Sequence, residues 1–426
     1  MKRATTFRID NITEFQIKML NWLKQFNIFC LLDNNGYYLN KPTFECLLAV
    51  GCKANLKLNA GNAFEQLKEF SIAHNDWLFG HLGYDLKNET EHLESQNFDG
   101  IGLEDLHFFV PEIVLQLNKN ELIIFFEGDA ALIFFAIDQC STIVESLHFA
   151  SPVIENRFTK IEYVNAIEKI KQHILRGDCY EINFCQEFFS ANVVIDPISV
   201  YQKMSLLSPN PFAALYKFDD KYCICASPER YLKKTGNQLF SQPIKGTAKR
   251  HLQNPGLDEI SKKELLNSEK EKSENVMVVD LVRNDMSKIC KQGTVKVDEL
   301  FGLYSFPQVH QMISTISGEV DDNVNWTDII KATFPMGSMT GAPKKKVMEL
   351  IEENERTRRG LFSGAIGYVA PNGDFDFNVV IRSILYNEKT KYLSFQAGSA
   401  ITFNCDAEKE YDECLLKAAV IHQVLK

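Results

Sequence analysis

The chain has 426 residues, 45% of them hydrophobic and 24% charged, the composition of a globular protein with a large core. Its formal charge of −10, from 46 basic and 56 acidic side chains, argues against a nucleic-acid-binding or membrane-surface protein, both of which use a basic excess. The 11 cysteines include no C-x-x-C pair, the N-terminal MKRATTFRIDNITEF has no apolar core of signal length, and no run approaches the ~20 apolar residues that span a bilayer. Free thiols in a reducing compartment, and hence the cytoplasm, are expected.

Residues 13–29 carry helix-like spacing, and Ile28-Phe29-Cys30-Leu31-Leu32 before Asp33-Asn34-Asn35-Gly36 reads as a buried strand entering a turn. Further strands are expected at 77–84, 108–117 and 121–126, the last two joined as a hairpin through Asn118-Lys119-Asn120, with Pro111 near the start of its strand. Residues 1–138 thus read as an antiparallel sheet with one or two helices and no obvious catalytic cluster. Residues 139–157, containing Ser151-Pro152, are the candidate linker. Beyond it, Tyr163, Ala166, Ile167, Ile170 and Ile174 share one helical face that stops at Gly177, and 178–186 alternates as a strand.

Within 158–426, Pro243-Ile244-Lys245-Gly246-Thr247 presents a lysine between a residue with fixed φ and one that tolerates unusual backbone. Lys245 is either a solvated turn residue or an amine nucleophile. The second role needs burial or a cationic neighbour, for which Lys249 and Arg250 are candidates, because a free lysine with pKa about 10.4 is protonated at neutral pH. Glu271 with Glu274, and Glu410 with Glu413, form two E-x-x-E pairs on expected helices. Each is either a solvated face or half of a hard-oxygen site for a magnesium ion.

Residues 334–344, with Gly337, Ser338, Thr340 and Gly341, open a helix over 345–354 and could cradle a carboxylate or phosphate. The pattern is neither a Walker sequence nor a dinucleotide fingerprint. Next, 364–368 and 376–386 read as a hairpin about Pro371-Asn372-Gly373. Arg382 on its second strand is either paired in the core or free to grip a carboxylate.

Taken together, SPER at 227–230, PIKGT at 243–247, SEN with VVDLVRND at 273–285, HQMIST at 310–315, GSMTGAPK at 337–344, SGAIGY at 363–368 and VIRS at 380–383 resemble the chorismate-utilising enzymes in order and spacing. That family includes anthranilate synthase component I and the isochorismate, salicylate and aminodeoxychorismate synthases. The resemblance implies an α+β, anthranilate synthase component I-like fold: large antiparallel β-sheets packed face to face with helices outside, and 1–138 and 158–426 interleaved into one globular fold. FCLLDNN, FGHLGYDL and FFVPE are similar to the family's N-terminal region, which houses a tryptophan pocket in feedback-regulated members.

Two positions bear on the branch. Members that add water at C2 of chorismate carry a lysine base where Glu181 stands, and anthranilate synthases typically carry alanine where Lys245 stands. The chain therefore resembles the aminodeoxychorismate synthase branch, transferases that make 4-amino-4-deoxychorismate for p-aminobenzoate and folate biosynthesis. Anthranilate synthesis, or a degenerate subunit that only binds chorismate or tryptophan, are the alternatives.

The resemblance further implies Lys245 as covalent nucleophile, Glu229 as general acid and His310 as the active-site histidine. It implies Mg²⁺ on Glu274 and Glu413 with Glu271 and Glu410 nearby. Arg382, Lys417 and groups around Gly246, Thr247, Ser338 and Ala400 are then expected to hold the substrate carboxylates. No G-x-C-x-G glutaminase turn is present, so ammonia is expected from solution or from a separate glutamine amidotransferase subunit. Ala400 stands where the family has glycine, and Phe362 where relatives often have tyrosine.

Overall fold

The computed structural model describes residues 2–37, 44–143, 151–306 and 309–426. Among these residues one sheet has 12 strands and a second has 10, built from antiparallel pairs. Both sheets mix the two ends of the chain: Ile28–Asp33 pairs with Phe212–Phe218 in the larger sheet, and Leu78–Leu82 pairs with Ala365–Val369 in the smaller.

The sheets pack face to face with helices outside, an α+β arrangement. One core cluster lies between them, where Leu47, Ala49, Ala214 and Tyr216 of the larger sheet meet Phe79, Phe109, Ile366 and Tyr368 of the smaller. The outer face of the larger sheet is covered by Ile12–Trp22, Lys160–Leu175, Pro197–Leu207 and Ala407–Val424. Helices Ala63–His74, Glu269–Ser287 and Trp326–Thr333 cover the other. Strand Cys46–Val50 therefore sends Cys46, Leu48 and Val50 to a helix-covered face and Leu47 and Ala49 between the sheets. A strand buried on both faces needs apolar residues at every position, so it loses the alternation of a half-exposed one.

Two expected strands are each two strands. The run 108–117 divides into Leu106–Val110 in the smaller sheet and Ile113–Asn118 in the larger; Pro111, which has no N–H to give a ladder, stands between them. The run 376–386 divides into Phe375–Asn378 and Ser383–Asn387, again in different sheets, and Arg382 at φ +50 breaks the extended path. The chain changes sheets in the same way after Val50 and after Ser227. Such switches are one way packed sheets form corners.

Other boundaries also move. The helix expected over 13–29 ends at Trp22, followed by a short 3-10 turn, and the strand after Gly177 runs Glu181–Ser190. Of the candidate linker, 144–150 lie outside the described residues. All 11 cysteines are free thiols. Among the described residues no helix is long and apolar enough to cross a membrane.

Candidate active site

Glu229 occupies a corner where the chain leaves Lys221–Ser227 for Arg230–Thr235 in the other sheet. The corner is held on both sides: the Glu229 N–H donates to Ser227 Oγ at 3.1 Å, and the Val379 N–H donates to the Glu229 carbonyl at 3.0 Å. The adjoining Arg230 is buried and grips Asp376 with two hydrogen bonds of 2.9 and 3.0 Å, a bidentate pair that fixes the strand's exit. Burial pushes the Glu229 carboxyl up to about 7, against the opposing pull of the Ser338 hydroxyl and the Lys245 and Arg382 charges. It is a carboxyl that can carry a proton near neutral pH.

Lys245 lies on strand Ile244–Lys249, immediately after Pro243, and not in an exposed turn. The register against Val309–Glu319 slips between Ile244 and Thr247, and Gly246 at φ +95 makes that bulge, a backbone conformation L side chains rarely adopt. Lys245 Nζ donates to Glu181 Oε1 at 2.9 Å and lies 4.0 Å from Glu274 Oε2. Burial alone would lower its pKa, but the Glu181 and Glu274 carboxylates outweigh burial and hold it above the usual lysine value. The expectation of cationic neighbours is thus reversed. Arg250 is occupied by Asp258 at 2.9 Å, Lys249 is exposed, and the groups facing Lys245 are acidic, so in this state it is an ammonium ion.

The glutamate pairs are placed by two capped helices. The Ser268 side chain accepts the Glu271 N–H at the start of Glu269–Ser287, and Asp406 accepts the N–H groups of Glu408 and Lys409 at the start of Ala407–Val424. Each cap is worth about 1 kcal/mol. The two helices converge: Lys270 Nζ lies 3.8 Å from Glu274 Oε1 and 3.5 Å from Glu410 Oε1, while Lys417 lies 2.7 Å from Glu413 and donates to the Gly398 carbonyl. Burial raises Glu271 and pushes Glu274 up to about 7; for Glu413 burial is outweighed by Lys417 and Lys270, which lower it.

The donor chemistry suits a hard cation. Glu181 Oε2, Glu274 Oε1 and Glu410 Oε2 are buried carboxylate oxygens without a hydrogen-bond partner, each a hard acceptor of the kind magnesium takes. Among the described residues, no three acidic, histidine or cysteine side chains converge as a preformed ion site. Lys270 stands between the acids of the two helices instead.

Around these groups, Ser338 is buried in the turn Gly337–Met339 beside Glu229. Arg382 has Glu229 and Tyr37 within electrostatic reach, but no ion pair among the described residues, which leaves its fork free for a carboxylate. Thr247 is exposed on its strand, Ala400 is half-buried opposite Asn183, and Phe362 is in the apolar core.

His310 does not join this group. Its Nδ1 lies 2.8 Å from Ser305 Oγ and its Nε2 3.2 Å from Asp258 Oδ1, so both ring nitrogens are engaged away from the lysine and the acids. The following residue, Gln311, points to the opposite face of the strand by alternation, pairs in register with Thr247, and is buried with neither amide atom hydrogen-bonded. Sequence reasoning passed over it. The signal available was the period of two, which allows only one of these neighbours to face the pocket. A separate small cavity between the sheets is lined by Leu32, Asp33, Phe44, Leu47, Pro211 and Phe212, and burial pushes Asp33 up to about 6.

Comparison with known proteins adds to this geometry. A model of the chorismate binding enzyme family matches residues 33–423. Aminodeoxychorismate synthase component 1 of Bacillus subtilis is 37% identical over 278 residues, covering 65% of this chain and 57% of that one, so the match spans a little over half of the relative's length. Anthranilate synthase component 1 of Cereibacter sphaeroides is 30% identical over 367 residues, covering 81% and 73%. The crystal structure of anthranilate synthase component I from Streptococcus pneumoniae superposes with a TM-score of 0.78 at 24% identity, over 92% of this chain and 94% of that one, a likeness of fold.

Proposed function

The chain belongs to the chorismate binding enzyme family, and we propose that within it the protein is component I of an aminodeoxychorismate synthase, converting chorismate and ammonia to 4-amino-4-deoxychorismate. The observation that carries this reading is a half-buried lysine 2.9 Å from one carboxylate, beside a second carboxyl group that can carry a proton near neutral pH.

The steps follow from these groups. Arg382 takes a substrate carboxylate with two parallel hydrogen bonds and orients the ring so that C2 faces Lys245 Nζ. Lys245 passes a proton to Glu181, its hydrogen-bond acceptor, and becomes a neutral amine. The Nζ lone pair forms a bond to C2, the ring double bond shifts, and the C4–O bond breaks. Glu229 gives its proton to the departing hydroxyl, which leaves as water; general acid help of this kind contributes roughly 10²–10⁴-fold.

Ammonia then bonds to C4, the double bond shifts back, and the C2–Nζ bond breaks, returning Lys245. Glu229, now a carboxylate, takes the proton shed by the incoming nitrogen. A magnesium ion on Glu274 and Glu413, with Glu271 and Glu410 around it, would neutralise a substrate carboxylate. Ammonia comes from solution or from a separate glutamine amidotransferase subunit, in keeping with the "component 1" of the relative's name. The cavity at Asp33, whose free volume of about 30 Å³ holds water and not an indole, would take tryptophan only with movement of its lining side chains, the half-buried Asp33 carboxyl then receiving the amino group.

The second reading is anthranilate synthesis, favoured by the Cereibacter sphaeroides relative and by the charge on Lys245, which as an ammonium could be a static partner of Glu181. Mass-spectrometric product analysis with chorismate, magnesium and an ammonium salt separates the two. The aminated ring is expected; anthranilate with pyruvate would transfer the assignment to the second reading.

A further inference from the structure

Lys270 has a role that the catalytic scheme does not use. It lies in the first turn of Glu269–Ser287, four residues before Glu274, yet its ammonium reaches across to the other helix at Glu410. All four glutamates of the two pairs, Glu271, Glu274, Glu410 and Glu413, are within its electrostatic reach. Glu410 is 3% exposed and its Oε2 has no hydrogen-bond partner, so a buried acceptor remains that a single ammonium leaves unsatisfied. The Lys270 side chain is itself 51% exposed, which gives it a path to water.

We propose that Lys270 is a tethered substitute for the divalent cation: it bridges Glu274 and Glu410 while the metal is absent and swings into solvent when the ion enters. The inference rests on the metal reading given above. Carboxylates gathered from two helices repel unless a cation sits among them, and the side chain that supplies one is anchored in the same turn as two of them. An ammonium offers charge but only three donors, whereas magnesium takes six oxygens in an octahedron. The lysine therefore keeps the helices together without completing the site, and metal binding is an exchange of one cation for another.

The exchange makes two measurable demands, tested with Lys270→Gln and, as control, Lys272→Gln, which removes an equal charge from the same helix at a lysine paired with Glu269. Magnesium chloride is titrated calorimetrically into each metal-free protein, and melting is recorded in EDTA and in saturating magnesium. For Lys270→Gln the magnesium Kd should fall roughly three- to fivefold, the upper scale of one partly exposed ion pair. The melting temperature in EDTA should also fall, with most of the loss recovered in magnesium.

Lys272→Gln should leave the Kd within about twofold. Equal affinity in Lys270→Gln and wild type, or equal tightening in the control, overturns the role of Lys270 while leaving the metal site standing. No magnesium binding by any of the proteins overturns the metal reading itself, and this inference with it.

Discussion

Lys245 and Glu181 meet across the two sheets, the amine on Ile244–Lys249 of the smaller sheet donating at 2.9 Å to a carboxylate on Glu181–Ser190 of the larger. The proposed nucleophile is thereby held as an ammonium and faces the carboxylate to which the proposed mechanism passes its proton. Glu181→Gln keeps the shape and removes the acceptor. Steady-state rates with chorismate and ammonium should fall about 10²-fold, with chorismate KM nearly unchanged. A rate within twofold of wild type would show that the proton leaves by another route.

Removal of the amine is more severe. Lys245→Ala should lower amination at least ~10³-fold, because the bond made at C2 in the first step, and broken there in the second, is the bond to its amine. It also leaves Glu181 without its ammonium partner, at a cost of about 3 kcal/mol in stability when a buried pair loses one member. Lys245→Met, which fills the space, and a thermal melt beside the assay separate lost chemistry from lost fold.

Glu229 makes activity and stability depend on pH in a definite direction. Its folded-state pKa, near 7, lies above the ordinary glutamate value of about 4.3, so the folded protein holds a proton that the unfolded chain has released. The stabilisation from this group is full below about 4.3 and is lost as pH rises to about 7, up to roughly 3.5 kcal/mol in all. Activity that needs the protonated acid should decline above about 7. Glu229→Gln should flatten the stability profile between pH 5 and 7 in part, because Glu274, also near 7, contributes with the same sign. Melting curves across that range, wild type against variant, check it.

Gln311 should show opposite effects on stability and binding. With both amide atoms buried and unbonded, Gln311→Leu removes an unsatisfied polar group, and the melting temperature should hold or rise. Chorismate KM should nevertheless increase about fivefold or more if that amide meets the substrate. Unchanged KM would make Gln311 a structural residue.

The family was readable from the sequence because its motifs are short strings, as PIKGT and SPER are. Where strands change sheets was not. Apolar runs such as FFVPEIVLQL look continuous because both faces of these strands are buried, so nothing in the alternation marks the corner. The setting of Lys245 was equally hidden, since its acceptor comes from 64 residues away and its local neighbours, Lys249 and Arg250, face elsewhere. His310 and Gln311 differ by one position, and one residue in a strand reverses the face.

The covalent role of Lys245 is tested most directly by trapping its adduct. The protein is incubated with chorismate and magnesium without ammonia, quenched in acid, and analysed by intact and peptide mass spectrometry. An increase equal to chorismate less one water, located on the peptide containing Lys245 and discharged by added ammonium, is the expected result. Turnover to the aminated product with no adduct on that lysine under any quench, and undiminished turnover in Lys245→Met, would contradict it.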